Sequence, residues 1–133
     1  NVVVTNGYVC RKPLADLLPL IDAMNIDLKG FTEDFYTFVG GDLETVKRSI
    51  RLAAAQCHVE VTTLIVPGLN DSPEAMEAEA KWLAAVDPEI PLHISRFFPR
   101  YRLLDRPPTP VSTIRHLCDI AQKHLRYVYT GNC

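Results

Sequence analysis

Five short apolar runs alternate along the chain with amphipathic stretches, and no run has a second one facing it across a short turn. The spacing, roughly 30 residues from run to run, is that of a strand, a crossover and the next strand. A strand without a hairpin partner must pair in parallel after a crossover, and such crossovers are right-handed. The chain is therefore expected to be α/β, with a parallel sheet covered by helices. Two architectures satisfy the pattern, a doubly wound sheet and an arc of a (β/α) barrel.

The strands are expected at residues 2–5, 23–28, 59–66, 91–97 and 126–130, with Val59, Val61 and Thr63 on one face of the third. Pro13 suits a helix start, and Leu14, Leu17, Leu18 and Ile21 have helical spacing, although Pro19 bends or ends that helix early. Thr32, followed by Glu33 and Asp34, suits the start of a short helix through Val39, which Gly40 and Gly41 break. Asp42 then caps a longer helix whose stripe is Leu43, Val46, Ile50, Ala53 and Ala54. Ser72, Pro73 and Glu74 open another, running to about Val86. A long loop over residues 98–108 leads to Thr109 and Pro110, which start a last helix lined by Val111, Ile114, Leu117, Cys118, Ala121 and Leu125.

A chain of 133 residues is long enough for one core, so a single compact unit is expected. A formal net charge of -2 gives no charge-based reason to bind nucleic acid or a membrane surface, and no apolar run reaches the roughly 20 residues of a spanning helix. The cysteines, Cys10, Cys57, Cys118 and Cys133, are scattered, without the close pairs of a zinc site or a disulfide framework. A reducing, cytoplasmic compartment is expected. The chain starts inside one apolar run and stops just after another, as an excised piece does.

Polar residues follow each run: Thr5, Asn6 and Gly7; Asp27 and Lys29; Pro67 to Asp71; Arg96 with Arg100 and Tyr101; Thr130, Gly131 and Asn132. All lie at carboxyl ends, which in a parallel sheet form the rim where ligands bind. In "NIDLKGF" the alternation of a strand points Asp27 and Lys29 the same way. Plainer readings stand beside this one. Asn6 and Gly7 are a common turn pair, Asn70, Asp71 and Ser72 suit a turn and a cap, and a surface ion pair is worth little. The stretch "RFFPRYRLLDR" reads as a loop contacting a partner or an anion, or as a plain solvated loop, rather than as a nucleic-acid contact. The isolated His58, His93, His116 and His124 read as structural or surface residues.

Together "TNGYV", "NIDLKGF", "TTLIVPGLNDS", "PLHISRFFPRYRL" and "YVYTGN" resemble the carboxyl-terminal part of radical S-adenosylmethionine (SAM) enzymes of the pyruvate formate-lyase activating type. The branch called AmmeMemoRadiSam-system radical SAM enzymes is nearest in appearance. The resemblance implies a TIM-like (β/α) barrel, of which residues 1–133 form about the carboxyl-terminal half, binding SAM and a [4Fe-4S] cluster. Such enzymes cleave SAM reductively to a 5'-deoxyadenosyl radical, which takes hydrogen from a substrate, in the activating enzymes a glycine of a partner protein. By the same resemblance Thr5 and Asn6 stand near SAM and its cation, Asp27 and Lys29 hold its methionyl end directly or through a monovalent cation, Thr62 and Leu64 also bind SAM or that cation, and Arg96, Arg100 and Tyr101 form a substrate or partner loop.

The departures are specific. The Cys-x-x-x-Cys-x-x-Cys cluster motif and the glycine-rich stretch are absent from this chain, Val4 stands where an acid is frequent, and Thr62 where an arginine is. Arg100 and Tyr101 replace a Tyr-His pair. The isolated chain is therefore expected to lack SAM cleavage, and to self-associate through open barrel edges and an uncovered apolar inner face. Two other functions fit the pattern: an aldolase-like barrel with Lys29 as Schiff-base amine, and a non-catalytic partner-binding domain.

Overall fold

The computed structural model describes residues 2–5, 11–32, 35, 41–98 and 107–131. Strands β1 (Val2–Thr5), β2 (Ala23–Asp27), β3 (His58–Ile65), β4 (Leu92–Arg96) and β5 (Val128–Gly131) form one sheet. Every neighbouring pair is parallel, and order in space follows order in sequence. A doubly wound sheet reverses its order at a switch point, so this arrangement selects the barrel arc. Strand ends differ from expectation by a residue or two, as ends fray.

The crossovers carry α1 (Arg11–Leu17), which passes into a 3-10 turn at Leu18–Leu20, then α2 (Leu43–Ala54), α3 (Pro73–Val86) and α4 (Val111–Ala121). Pro19 ends the first helix as its missing N–H requires. Leu14, Leu18 and Ile21 are buried while Leu17, expected among them, is exposed. The short helix expected through Val39 lies outside the described residues, apart from an N-cap-like bond from the Phe35 N–H to the Thr32 hydroxyl at 3.1 Å. Asp42 caps α2 by accepting from the Glu44 N–H, and its other oxygen accepts from the Thr45 hydroxyl at 2.7 Å. Ser72 caps α3 by accepting from the Ala75 N–H at 3.1 Å, with Pro73 in the first turn.

Alternation along the strands sorts the two faces. Met24, Ile26, Val59, Val61, Thr63, Ile65, Leu92 and Ile94 are buried beneath the helix layer. Each fully buried aliphatic side chain there contributes about 1.5–3 kcal/mol. The opposite face carries Asn25, Asp27, Glu60, Thr62, His93, Ser95 and Tyr129. This face is thus not the apolar surface expected of an uncovered half barrel. Among the described residues its exposed large apolar side chains are Val2, Val4, Leu64 and Tyr129, because most of the alternate residues of β2, β3 and β4 are polar. Among the described residues, no helix is long and apolar enough to cross a membrane.

Candidate cofactor site on the open face of the sheet

Asp27 closes β2 half-buried, level with Thr62 of β3, His93 of β4 and Tyr129 of β5. These four stand in one row across the open face, about 4.8 Å from strand to strand. The ladder runs one residue past β2, where the Leu28 N–H donates to the Thr62 carbonyl at 2.9 Å. Lys29 follows, exposed, and then Gly30, buried where a Cβ would lie 2.7 Å from the Phe35 ring. Beyond it Phe31 meets Trp82 at 6.0 Å between ring centroids, with the Lys47 ammonium over both rings. The rim segment is thereby anchored to the outer helices.

The row below is a polar network. Thr62 donates its hydroxyl hydrogen to Asn25 Oδ1 at 3.0 Å. Glu60 lies between two imidazoles, 2.6 Å from His93 Nε2 and 3.0 Å from His58 Nε2. The bond with His93 first, and that with His58 second, hold the Glu60 carboxyl below its ordinary range. The His93 ring stacks on Tyr129 at 5.3 Å. Behind the sheet, buried Glu79 accepts from the Thr63 hydroxyl at 2.9 Å, and burial pushes its pKa up to about 8.

The structure thus gathers Asp27, Thr62 and Leu64 on one face, with Lys29 at its rim. Leu64 is 44% exposed there, an apolar side chain beside an acid and a base. Thr5 ends β1 level with Ile26 and shares the face of Val3, which packs on the core. Arg96 alternates toward the helix layer, where its Nε–H donates to the Thr109 carbonyl and its guanidinium lies 4.7 Å from the Phe98 ring. Asn6, Arg100, Tyr101 and Asn132 lie outside the described residues. Asn25, Glu60, His93 and Tyr129 escape a reading made residue by residue. Their signal is the alternation itself, since His58, Glu60 and Thr62 are the complement of buried Val59, Val61 and Thr63.

The two cofactors implied by the resemblance fit this chain differently. SAM ends in an ammonium and a carboxylate and carries an aromatic nucleobase whose flat faces pack on apolar groups, and Asp27, Lys29 and Leu64 offer an acid, a base and an exposed aliphatic surface. The described residues, which include two of the four cysteines, offer no ligand set for an iron–sulfur cluster. Among the described residues no group of three His, Cys, Asp or Glu is placed to hold a metal, and free Cys118 is buried within α4 while Cys57 precedes β3.

With five sequential parallel strands and the described helices on one face, the chain forms a partial (β/α) barrel, a fold similar to that of the following solved structures. The crystal structure of a domain of pyruvate-formate lyase-activating enzyme from Bacteroides vulgatus superposes with a TM-score of 0.79 over 98% of this chain and 80% of that one, at 20% identity. TYW1 with a lysine-pyruvate adduct bound gives 0.67 over 93% of this chain and 40% of that one, at 18% identity. A radical SAM methyltransferase from Sphaerobacter thermophilus gives 0.63 over 97% and 39%, at 16% identity. In sequence, the uncharacterized protein MJ0808 of Methanocaldococcus jannaschii is 44% identical over 136 residues, covering 99% of this chain. The chain spans 40% of that relative's length. No family model matches the sequence.

Proposed function

We propose that this chain is the carboxyl-terminal part of a longer radical SAM enzyme of the activating type, and that Asp27 and Lys29 hold the methionyl end of SAM. One observation carries the reading: an acid and a base close β2 at the rim of a sequential parallel arc, beside exposed Leu64. When bound, SAM supplies the radical that takes a hydrogen atom from substrate. The residues of this chain bind and orient it. Asp27 accepts from the ammonium, Lys29 donates to the carboxylate, and Leu64 covers apolar surface. In this reading the cluster is held by residues outside this chain.

The substrate in this reading is a protein partner or another molecule that gives up a hydrogen atom, and Arg100 and Tyr101 belong to the stretch that meets it. The enzyme works in a reducing cytoplasm, a placement supported by the free Cys57 and Cys118. A Schiff-base role for Lys29 is disfavoured by its exposure, because an amine nucleophile is activated by desolvation.

The test uses the full-length protein, loaded with iron and sulfide under anaerobic conditions and reduced. Adding SAM is expected to change the electron paramagnetic resonance spectrum of the cluster. A cluster-loaded protein whose spectrum ignores millimolar SAM would return the open face to a partner-binding role.

A further inference from the structure

We infer that Asn70 is a positioning residue for SAM, its carboxamide fixing where the Lys29 end of β2 stands relative to Leu64 of β3. The inference rests on the reading of Asp27 and Lys29 as the groups that hold SAM. It adds a residue that touches neither the cofactor nor the reacting atoms.

Asn70 lies in the loop after β3, in "PGLNDS". That loop is a tight turn. The Leu69 and Asn70 N–H groups both donate to the Val66 carbonyl, at 3.1 and 3.3 Å, and Gly68 takes a positive φ of 78°. The turn aims the Asn70 side chain back at two strand ends. Its Oδ1 accepts from the Val66 N–H at 2.6 Å, and its Nδ2 donates to the Lys29 carbonyl at 2.7 Å and to the Leu64 carbonyl at 2.8 Å. A carboxamide has two N–H donors, so both are committed.

The place of the Lys29 bond gives it weight. Strand pairing between β2 and β3 stops with the Leu28 N–H on the Thr62 carbonyl. Beyond that point Lys29, one residue past Leu28, and Leu64, two past Thr62, are joined through the Asn70 carboxamide. One side chain therefore sets the spacing between the base and the apolar residue of the candidate site. A misplacement of about 1 Å costs a reaction site on the order of a hundredfold in rate, and a charge-assisted contact to the cofactor lengthens with the same shift.

The chemistry demands an amide. Aspartate is the same size and keeps the acceptor for the Val66 N–H, yet it turns both donors into an oxygen facing the Lys29 and Leu64 carbonyls. Asn70→Asp thus pushes the two strand ends away from the loop while leaving the turn's main-chain bonds in place.

The experiment measures the SAM dissociation constant of the full-length, cluster-loaded, unreduced protein by equilibrium dialysis, for wild type, Asn70→Asp, Asp27→Ala and Lys29→Ala. Asn70→Asp is expected to bind SAM roughly tenfold to hundredfold more weakly, the scale of a small misplacement. In turnover, its loss is expected in KM for SAM ahead of kcat. A smaller folded fraction would instead cut kcat and leave KM alone. Should Asn70→Asp not fold, Asn70→Ser takes its place, since a serine hydroxyl is too short to span from the loop to Lys29. Weaker binding in Asp27→Ala and Lys29→Ala, with SAM held by the Asn70 variant within about twofold of wild type, overturns this inference alone. Undiminished binding in Asp27→Ala and Lys29→Ala overturns the reading beneath it.

Discussion

Glu60 grips the His93 imidazole across neighbouring strands, Oε1 to Nε2 at 2.6 Å, on the face of the sheet opposite the described helices. The bond depresses the Glu60 pKa, so its contribution to stability is present above the ordinary value of 4.5 and is lost as pH falls through the folded value. Replacing His93 with Leu is expected to move the Glu60 titration up toward 4.5, with His58 retaining part of the shift. Carboxyl-carbon NMR titration reads this directly. The stability cost stays below about 1 kcal/mol, because both side chains are about a third exposed and water screens the pair. An unmoved midpoint would mean the pair carries no coupling.

Glu79 has the opposite sign. It sits 2% exposed between α3 and β3 with its pKa raised from 4.5 to about 8, so the folded state holds a proton that the unfolded chain releases. Its stability is complete below pH 4.5 and declines as pH rises toward 8, by at most about tenfold in the folding equilibrium per pH unit. Glu79→Gln keeps a polar group for the Thr63 hydroxyl and cannot ionise. Urea unfolding between pH 5 and pH 8 is expected to show a falling wild-type stability and a flatter variant. Parallel curves would show that Glu79 ionises without cost.

Thr109 pins the ends of two strands. Its buried hydroxyl donates to the Ile65 carbonyl and accepts from the Phe97 N–H, while its own N–H donates to the Phe97 carbonyl. Thr109→Val keeps the shape and strands a buried donor and acceptor, at about 1–3 kcal/mol each. A loss of about 2–4 kcal/mol in chemical denaturation is expected, mostly restored in Thr109→Ser.

The outer edge of β1 supports self-association of the 133-residue chain. Val2 and Val4 are 73% and 72% exposed on the open face of an edge strand, which is a template for pairing. Light scattering at micromolar concentration is expected to give more than a monomer, and Val4→Lys to shift it toward one. A wild-type monomer would count against the edge as an interface.

The strand and helix order was legible because apolar spacing reports burial, and burial here lies on one side of the sheet. Asp42 and Ser72 were legible as caps because a cap is a local hydrogen bond. The Glu60 to His93 pair was not, since its members are 33 residues apart and only the register of β3 on β4 brings them together. Arg96 shows the limit of rim reasoning: one step of strand alternation turns it to the helix layer and Thr109. The polar inner face was hidden behind an expectation drawn from architecture, although the alternate residues of "HVEVTTL" already spelled it out.

Anaerobic formation of 5'-deoxyadenosine from SAM by the full-length, cluster-loaded protein, with Asp27→Ala and Lys29→Ala in parallel, decides whether the end of β2 holds SAM. Release by wild type at limiting SAM, and a fall of about tenfold or more in each variant, is the predicted result. Release that both variants match, or none from a protein shown to carry its cluster, would contradict the assignment of the β2 end to SAM.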